Sequence, residues 1–383
     1  MVTIMLKRLY VDNFRTLVNF EIDFGALTLL MGPNGTGKST VFEVIHRLRQ
    51  FVCEEGTTNE LFPTPTLTRW QARNIQTFEL TVAEPEGDCT YHLEIDHDKT
   101  QQRCRIKSER LLMGAQVLFE SRLESGPEGK ALHAQLYRDD ASRGPELLTD
   151  WTRSGVACIT PRHDNQELTR FKQKMAQVHV CRFDPMSMTA RSEREATLLG
   201  ANAANFVDWL RHATGLDMEL AARLRPMLEE AIIAYDGLSL LADGEDAKML
   251  KVRFRADEGK APSSRSYDCR FDELSDGQRL LIVLYSLLAT ARNGTTLCLD
   301  EPENFLALRE VQPWLDALIE ATQSGDCQSV LVSHHPHLID ALASGAGRWL
   351  DRAAGGPTRC QPVAEDGSGL AVSELVARGW LHA

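Results

Sequence analysis

The chain has 383 residues, 43% of them hydrophobic and 25% charged, with a formal net charge of −12. That length supports a sizeable core in one large domain or two moderate ones, and the acidic balance argues against a whole-surface polyanion binder, whose affinity comes from neutralised phosphates. No stretch reaches the roughly 18 apolar residues that span a bilayer, and the nine cysteines include no C-x-x-C pair, which argues against a disulfide framework and a structural zinc site.

The N-terminal MVTIMLKRLYVDNF alternates polar and apolar residues like a strand and lacks an apolar signal core, so the expected location is the cytoplasm, with no membrane partner. Residues 4–11, 20–24 and 27–31 read as short strands, the last running straight into a glycine-rich loop. A helix over 39–52 follows, with Val41, Val44, Ile45 and Leu48 on one face. Segments 78–83, 90–95 and 103–111 read as antiparallel strands. The basic residues Arg103, Arg105, Lys107 and Arg110 read as a solvated strand face. Residues 120–145, rich in Gly, Ser and charge, read as surface loops.

A strand over 178–183 ends at the Asp184-Pro185 break. From 191 to 241 the pattern turns helical, with Phe206, Leu210 and Ala213, then Leu220, Leu224, Leu228 and Ile232, three or four residues apart. Strands return at 249–254 and 267–271. Helix 277–291, strand 296–299, helix 310–322, strand 329–332 and a helix after Pro336 complete the chain. That alternation implies a parallel α/β sheet.

Gly32-Pro33-Asn34-Gly35-Thr36-Gly37-Lys38-Ser39 satisfies G-x-x-x-x-G-K-[ST] in full, between a strand and a helix. The glycines let successive N–H groups turn inward around phosphate oxygens, and the helix start, with Thr40, adds partial positive charge. Lys38 is expected to reach the β- and γ-phosphates and the Ser39 hydroxyl to bind Mg²⁺. The strand 296–299 ends in Asp300-Glu301-Pro302-Glu303. An apolar strand finishing in two carboxylates points to a cation and a water: Asp300 is expected to hold Mg²⁺ and Glu301 to polarise the attacking water. The two motifs together describe an ATPase, with ATP and Mg²⁺ as its ligands.

Five elements in order then carry a resemblance: Asn13-Phe14-Arg15, the phosphate loop, LSDGQR at 274–279, LCLDEPE at 297–303 and VLVSHHP at 330–336. Together they resemble ABC-type ATPases of the SMC/Rad50/RecF-like branch, over nearly the whole chain. The resemblance implies an α/β P-loop NTPase with an ABC-type head, an antiparallel β subdomain and a short helical insertion. Its expected layout is lobe I over 1–190, a short helical lid over 191–262 and lobe II over 263–383. It also implies an ATP-sandwiched homodimer, or a higher homo-oligomer, in which Ser275, Gly277 and Gln278 of one copy close on the γ-phosphate held by another. His334, two residues before Pro336, matches the switch histidine in preference to His335, and Arg15 matches a residue that touches the phosphates in cis. Taken alone, LSDGQ also reads as a helix cap with Ser275 or Asp276.

Three positions depart from the family pattern. Asp276 stands where a second glycine is commonest, and Ala307 where a polar dimer-communication residue is usual. The loop after strand 178–183 lacks the expected Mg²⁺-contacting glutamine, leaving Asp184, Ser187 or, more weakly, Gln76 for that role. The interval between the phosphate loop and the signature is too short for the long coiled coil of SMC and Rad50 proteins, and the stretch after His334 is short for an appended nuclease. The reading is a regulatory ATPase whose ATP-driven dimerisation controls a separate effector, a nuclease or toxin, resembling stand-alone AAA-family ATPases of bacterial anti-phage and toxin–antitoxin systems. The alternative is a RecF-like DNA-binding clamp for repair.

Overall fold

The computed structural model describes residues 5–54, 56–84, 86–126, 129–256, 266–292, 294–363 and 369–380. β1 (Leu6–Asp12) and β2 (Phe20–Asp23) form a hairpin, and β3 (Leu27–Met31) leaves it and leads into α1 (Lys38–Cys53). After the short α2 (Thr58–Leu61) come β4 (Ile75–Val82), β5 (Cys89–Asp98), β6 (Arg103–Met113), β7 (Gln116–Gly126), β8 (Gly129–Tyr137) and β9 (Arg143–Thr149). Among the described residues these make an eight-stranded antiparallel sheet in the order β2-β1-β4-β5-β6-β7-β8-β9. Burial alternates residue by residue along β4 and β5. The inner row, including Phe78, Leu80, Tyr91 and Leu93, joins Val41, Ile45 and Leu48 of α1 in one core, as a sheet wetted on one face requires.

The basic residues of β6 lie on the wet face, and three of the four are paired across strands: Arg105 with Asp96 at 2.8 Å, Lys107 with Glu94 at 3.2 Å and Arg110 with Glu120 at 3.8 Å. The surface loops expected over 120–145 are instead most of β7 and β8 and the start of β9. Arg122, Glu124, Arg138, Arg143 and Glu146 face solvent, while Leu132, Ala134 and Leu136 hold a period-two buried row beneath.

The second half runs through α3 (Gly155–Cys158), α4 (Gln166–Ala176), β10 (Val178–Cys181), β11 (Arg191–Ser192), α5 (Phe206–Leu216) and α6 (Leu220–Ala231). There follow β12 (Tyr235–Ala242), β13 (Lys248–Arg255), β14 (Ser266–Arg270), α7 (Asp276–Thr290), β15 (Thr295–Asp300), α8 (Leu308–Ser324), β16 (Cys327–Val332), α9 (Pro336–Ala346), β17 (Gly347–Asp351), β18 (Arg359–Pro362) and α10 (Val372–Arg378). The helical reading of 191–241 holds for α5 and α6 and fails beyond them. The chain leaves α6 through Ala234, whose φ is +61°, and Tyr235–Ala242 pairs antiparallel with β13. Leu238 and Leu240 continue the apolar pattern there at strand, not helix, spacing. The interval 191–262 therefore holds β11, β12 and β13 as well as helices, and residues 257–262 of it lie outside the described residues. Phe206, Leu210, Leu224 and Leu228 share a core with α7.

The central sheet runs β10-β15-β16-β3-β17-β18, parallel except for the last pair. β15 and β16 are buried along their entire length. Leu297, Leu299 and Leu331 face one core, and Cys298, Val330 and Val332 face the other, so this sheet is the partition between them. Strands covered on both faces lose the polar alternation of half-exposed ones, which is why 297–299 and 330–332 are continuous apolar runs. No helix among the described residues is long and apolar enough to cross a membrane.

One polar side chain joins the two sheets. Gln328, fully buried, accepts from the Leu6 N–H (2.8 Å) and the Thr296 hydroxyl (3.0 Å) and donates to the Leu6 and Gly25 carbonyls, both at 2.8 Å. Gln328→Leu strips Leu6 of both partners and is expected to lower the unfolding free energy by about 2–4 kcal/mol. Urea unfolding measures this, and an unmoved midpoint would show that the bridge is dispensable.

Candidate nucleotide site

β3 delivers the chain into a loop whose glycines do what no other residue can. Gly32, Gly35 and Gly37 have φ of +141°, +80° and +98°, and a Cβ on Gly32 would lie 2.1 Å from the Leu350 carbonyl oxygen. α1 starts at once, with Gly37 as a cap that has no side chain to offer and no acidic residue in the first turn. Its leading N–H groups and positive dipole end are thus left for an anion. The buried Lys38 ammonium folds over the loop, donating to the Gly32 (2.7 Å) and Pro33 (3.0 Å) carbonyls. Burial lowers its pKa, opposed by the Asp300 and Glu301 carboxylates.

The acidic strand end meets this loop from the neighbouring side. Asp300, at the end of β15, is 7% exposed and stands close enough to the Ser39 hydroxyl for that group to favour its ionised form. Burial outweighs this and raises its pKa, the pattern of a carboxylate short of a cation. Glu301 has φ +50°, a left-handed conformation costing roughly 1–3 kcal/mol for a non-glycine residue. Its N–H donates to the Val332 carbonyl at 2.9 Å, tying the acidic turn to the end of β16. Its carboxylate accepts from Asn304 Nδ2 at 2.8 Å and stands 3.9 Å from His334 Nε2. Burial, then the charge of Lys38, lowers the His334 pKa, so the ring is neutral at pH 7. His335 instead caps α9, its Nδ1 accepting from the His337 N–H at 3.3 Å.

A cleft of about 290 Å³ opens beside the loop, lined by Ser39, Thr40, Glu43, His46, Arg182 and Asp300 among others. Arg15, also at φ +50°, does not line the cleft; its guanidinium is paired at 2.7 Å with Glu43, which does. Ser275, Gly277 and Gln278 do not line the cleft. Ser275 caps α7 in a reciprocal box with Gln278. Gly277 packs so closely on the following turn that a Cβ would be 2.8 Å from the Phe305 carbonyl oxygen. The buried Arg279 donates to the Pro185 carbonyl and to Asp276 at 2.6 Å.

Neither glutamine nor its substitutes take the expected place. Gln76 is fully buried elsewhere, donating to the Asn13 carbonyl and the Thr66 hydroxyl, both at 3.1 Å, and bonded to the His97 ring at 2.9 Å. Asp184 caps the turn that follows it, accepting from the Met186 N–H at 3.2 Å, and the Ser187 hydroxyl donates back to the Asp184 carbonyl at 2.8 Å. Sequence reasoning missed Arg182 in the cleft, Asn304 on Glu301, and the buried Glu303, which accepts from the Ser333 hydroxyl and so joins the acidic turn to the histidine loop. Asn304 and Glu303 sit inside DEPEN and were open to inspection. Arg182 has no local signal, because only strand pairing brings it to Asp300.

Two family models match the ends of this architecture. Residues 5–100 match the "AAA ATPase domain" and residues 236–340 the "AAA domain, putative AbiEii toxin, Type IV TA system". In solved structures, the fold is similar to an SMC head bound to the C-terminal winged-helix domain of ScpA (TM-score 0.52, 12% identity, covering 94% of this chain and 97% of that one). It is equally similar to an SMC head with an extended coiled coil bound to the C-terminal domain of ScpA, from Pyrococcus furiosus (TM-score 0.52, 10% identity, covering 98% of each chain). The chain thus matches AAA-type ATPase models over residues 5–100 and 236–340 and has the fold of an SMC head. Its head has the SMC-type P-loop fold, with the large antiparallel sheet joined to the mixed α/β lobe. A further short match, 51% identical over 41 residues, is to the OLD nuclease of Thermus scotoductus, and spans 11% of this chain and 8% of that protein.

The turn at Asn13–Arg15 of this SMC-like head rests on His97, 1% exposed, whose pKa burial pushes down to about 4. The folded pKa lies below the unfolded value of about 6.5, so the unfolded chain binds more protons between the two. Stability is fully present above pH 6.5 and is lost as the pH falls toward 4, by roughly 2–3 kcal/mol from this residue. His97→Gln is expected to flatten the stability profile in that window by this amount. Denaturant midpoints at pH 7 and 4.5 decide it, and an equal slope in both proteins would exclude His97 as the titrating group.

Proposed function

We propose that this chain binds ATP and hydrolyses it to ADP and phosphate, and that ATP holds two copies together. The observation that carries this reading is the meeting of Ser39 and Asp300 at the cleft, with Lys38, Glu301 and His334 near enough for their charges to act on one another. Loop amides, the α1 N-terminus and Lys38 bind the phosphates. Ser39 and Asp300 are the residues that hold Mg²⁺, which when bound neutralises phosphate charge. Glu301, aimed by Asn304, takes the role of orienting and polarising the attacking water, and neutral His334 takes that of hydrogen-bonding the terminal phosphate. Arg15 reaches the phosphates on release from Glu43.

Ser275, Gly277 and Gln278 lie outside their own cleft at the start of α7, and this supports their use in trans. The Ser275 hydroxyl and the Gly277 amide become donors to a γ-phosphate on the partner once the capping box opens. The two-copy state then serves as a signal to a separate effector in the cytoplasm, a nuclease or toxin of anti-phage defence. The short match to the OLD nuclease and the toxin named in the description of the matched model support that direction. The mostly paired outer face of β6 favours this reading over a duplex-binding clamp.

Glu301→Gln is expected to bind ATP normally, to release phosphate on the order of 100-fold more slowly, and to shift from monomer to dimer mass on adding Mg-ATP in light scattering. Lys38→Ala is expected to show neither ATP binding nor the shift. A mass independent of ATP in Glu301→Gln would refute the sandwich, and unchanged turnover would remove Glu301 from the chemistry.

A further inference from the structure

β10 and β15 run parallel with Cys181 opposite Leu299. One residue further, Arg182 stands beside Asp300, and neighbours in register on parallel strands project to the same face. The backbone there is fixed. Cys181 and Phe183 are buried on either side, the Arg182 N–H donates to the Ala201 carbonyl at 2.7 Å, and the Asp184 N–H to the Asn202 carbonyl at 3.1 Å. The Arg182 side chain itself is exposed and lines the cleft with Ser39, Thr40 and Asp300.

The cations around this cleft differ in what they already hold. Lys38 is bonded to the Gly32 and Pro33 carbonyls, and Arg15 and Arg47 share Glu43 at 2.7 and 2.6 Å. The Arg182 guanidinium makes no hydrogen bond and no close ion pair with any described residue. Its charge nevertheless acts on Asp300 more strongly than that of Lys38 does. A strand-end arginine that lines the same cleft as Ser39 and Asp300 and is bonded to neither has its donors open to an anion that enters there. A planar, permanently charged fork with free donors is suited to phosphate oxygens.

We propose that Arg182 is a phosphate-binding residue of this site and that it receives the terminal phosphate of a nucleoside triphosphate. It stands at the end of the edge strand, just ahead of the loop in which a neutral glutamine was expected, so a fixed positive charge lies next to a position where an uncharged contact was expected. The inference rests on the reading of the cleft as an ATP site. Its consequence is selectivity: a contact made only to the third phosphate distinguishes ATP from ADP.

The test measures binding of Mg-ATP and Mg-ADP to the full chain by isothermal titration calorimetry, in wild type, Arg182→Ala and Arg182→Gln, with circular dichroism to verify folding. Loss of one charged hydrogen-bonding group is expected to weaken ATP roughly ten- to hundred-fold and to leave ADP within about two-fold. Equal weakening of both nucleotides, or ATP affinity unchanged in both variants, would overturn the assignment. Wild type that fails to bind ATP, or Lys38→Ala that binds it equally well, would overturn the ATP-site reading beneath it. Arg182→Gln keeps the test open should the alanine variant fold poorly.

Discussion

The parallel pairing of β15 with β16, extended past its last residue by the bond from the Glu301 N–H to the Val332 carbonyl, is the interaction on which the site depends. Parallel strands end on the same edge of their sheet. β3, β15, β16 and β10 therefore bring the glycine loop, the acidic turn, the histidine loop and Arg182 to one rim, although these segments are scattered along the chain. The pairing also forces Glu301 to a positive φ, so its geometry is imposed by the sheet and not chosen by the residue.

The acidic turn concentrates negative charge without enough protein cations to match it. Burial raises the pKa of both Asp300 and Glu303, with the Glu301 charge adding to both and Asp300 adding to Glu303. One oxygen of Glu303 is buried with no hydrogen-bond partner among the described residues. A site in this condition is unfavourable when empty and is relieved by a bound cation, which is what a metal-dependent phosphate site requires. Hydrogen bonds from Asn304 and Ser333 hold the three carboxylates apart in direction if not in charge.

What could be read from the sequence divides by the range of the signal. The phosphate loop, the acidic strand end and the strands β3, β10, β15 and β16 of the central sheet were legible because their chemistry is local: fixed glycine spacing, or an apolar run buried on both faces; β17 and β18, at the sheet's far side, were not read. The strands over 120–145 were not, because a half-wet antiparallel sheet carries its charge on the outer row and the eye follows the charge instead of Leu132, Ala134 and Leu136 beneath it. Tyr235–Ala242 was misread because leucines spaced for α6 run on into a strand without a proline or glycine to mark the change at Ala234. Arg182 was beyond reach in principle, since its meaning comes from lying one residue past the pairing of Cys181 with Leu299, in one cleft with Asp300, more than a hundred residues away in sequence.

All nine cysteines are free thiols, and burial makes most of them poor nucleophiles: Cys53 and Cys360 are pushed up to about 11, and Cys89 and Cys181 to about 12. Cys158 is different, standing exposed at the end of α3, a turn anchored at its start by the buried Glu109 carboxylate, which takes the Gly155 N–H at 2.8 Å. The native chain thus has one favoured position for a thiol-reactive spin label or dye, on a rigid mount and away from the nucleotide cleft. Such a label turns the head into its own molecular ruler, able to report separation between copies without a single engineered residue.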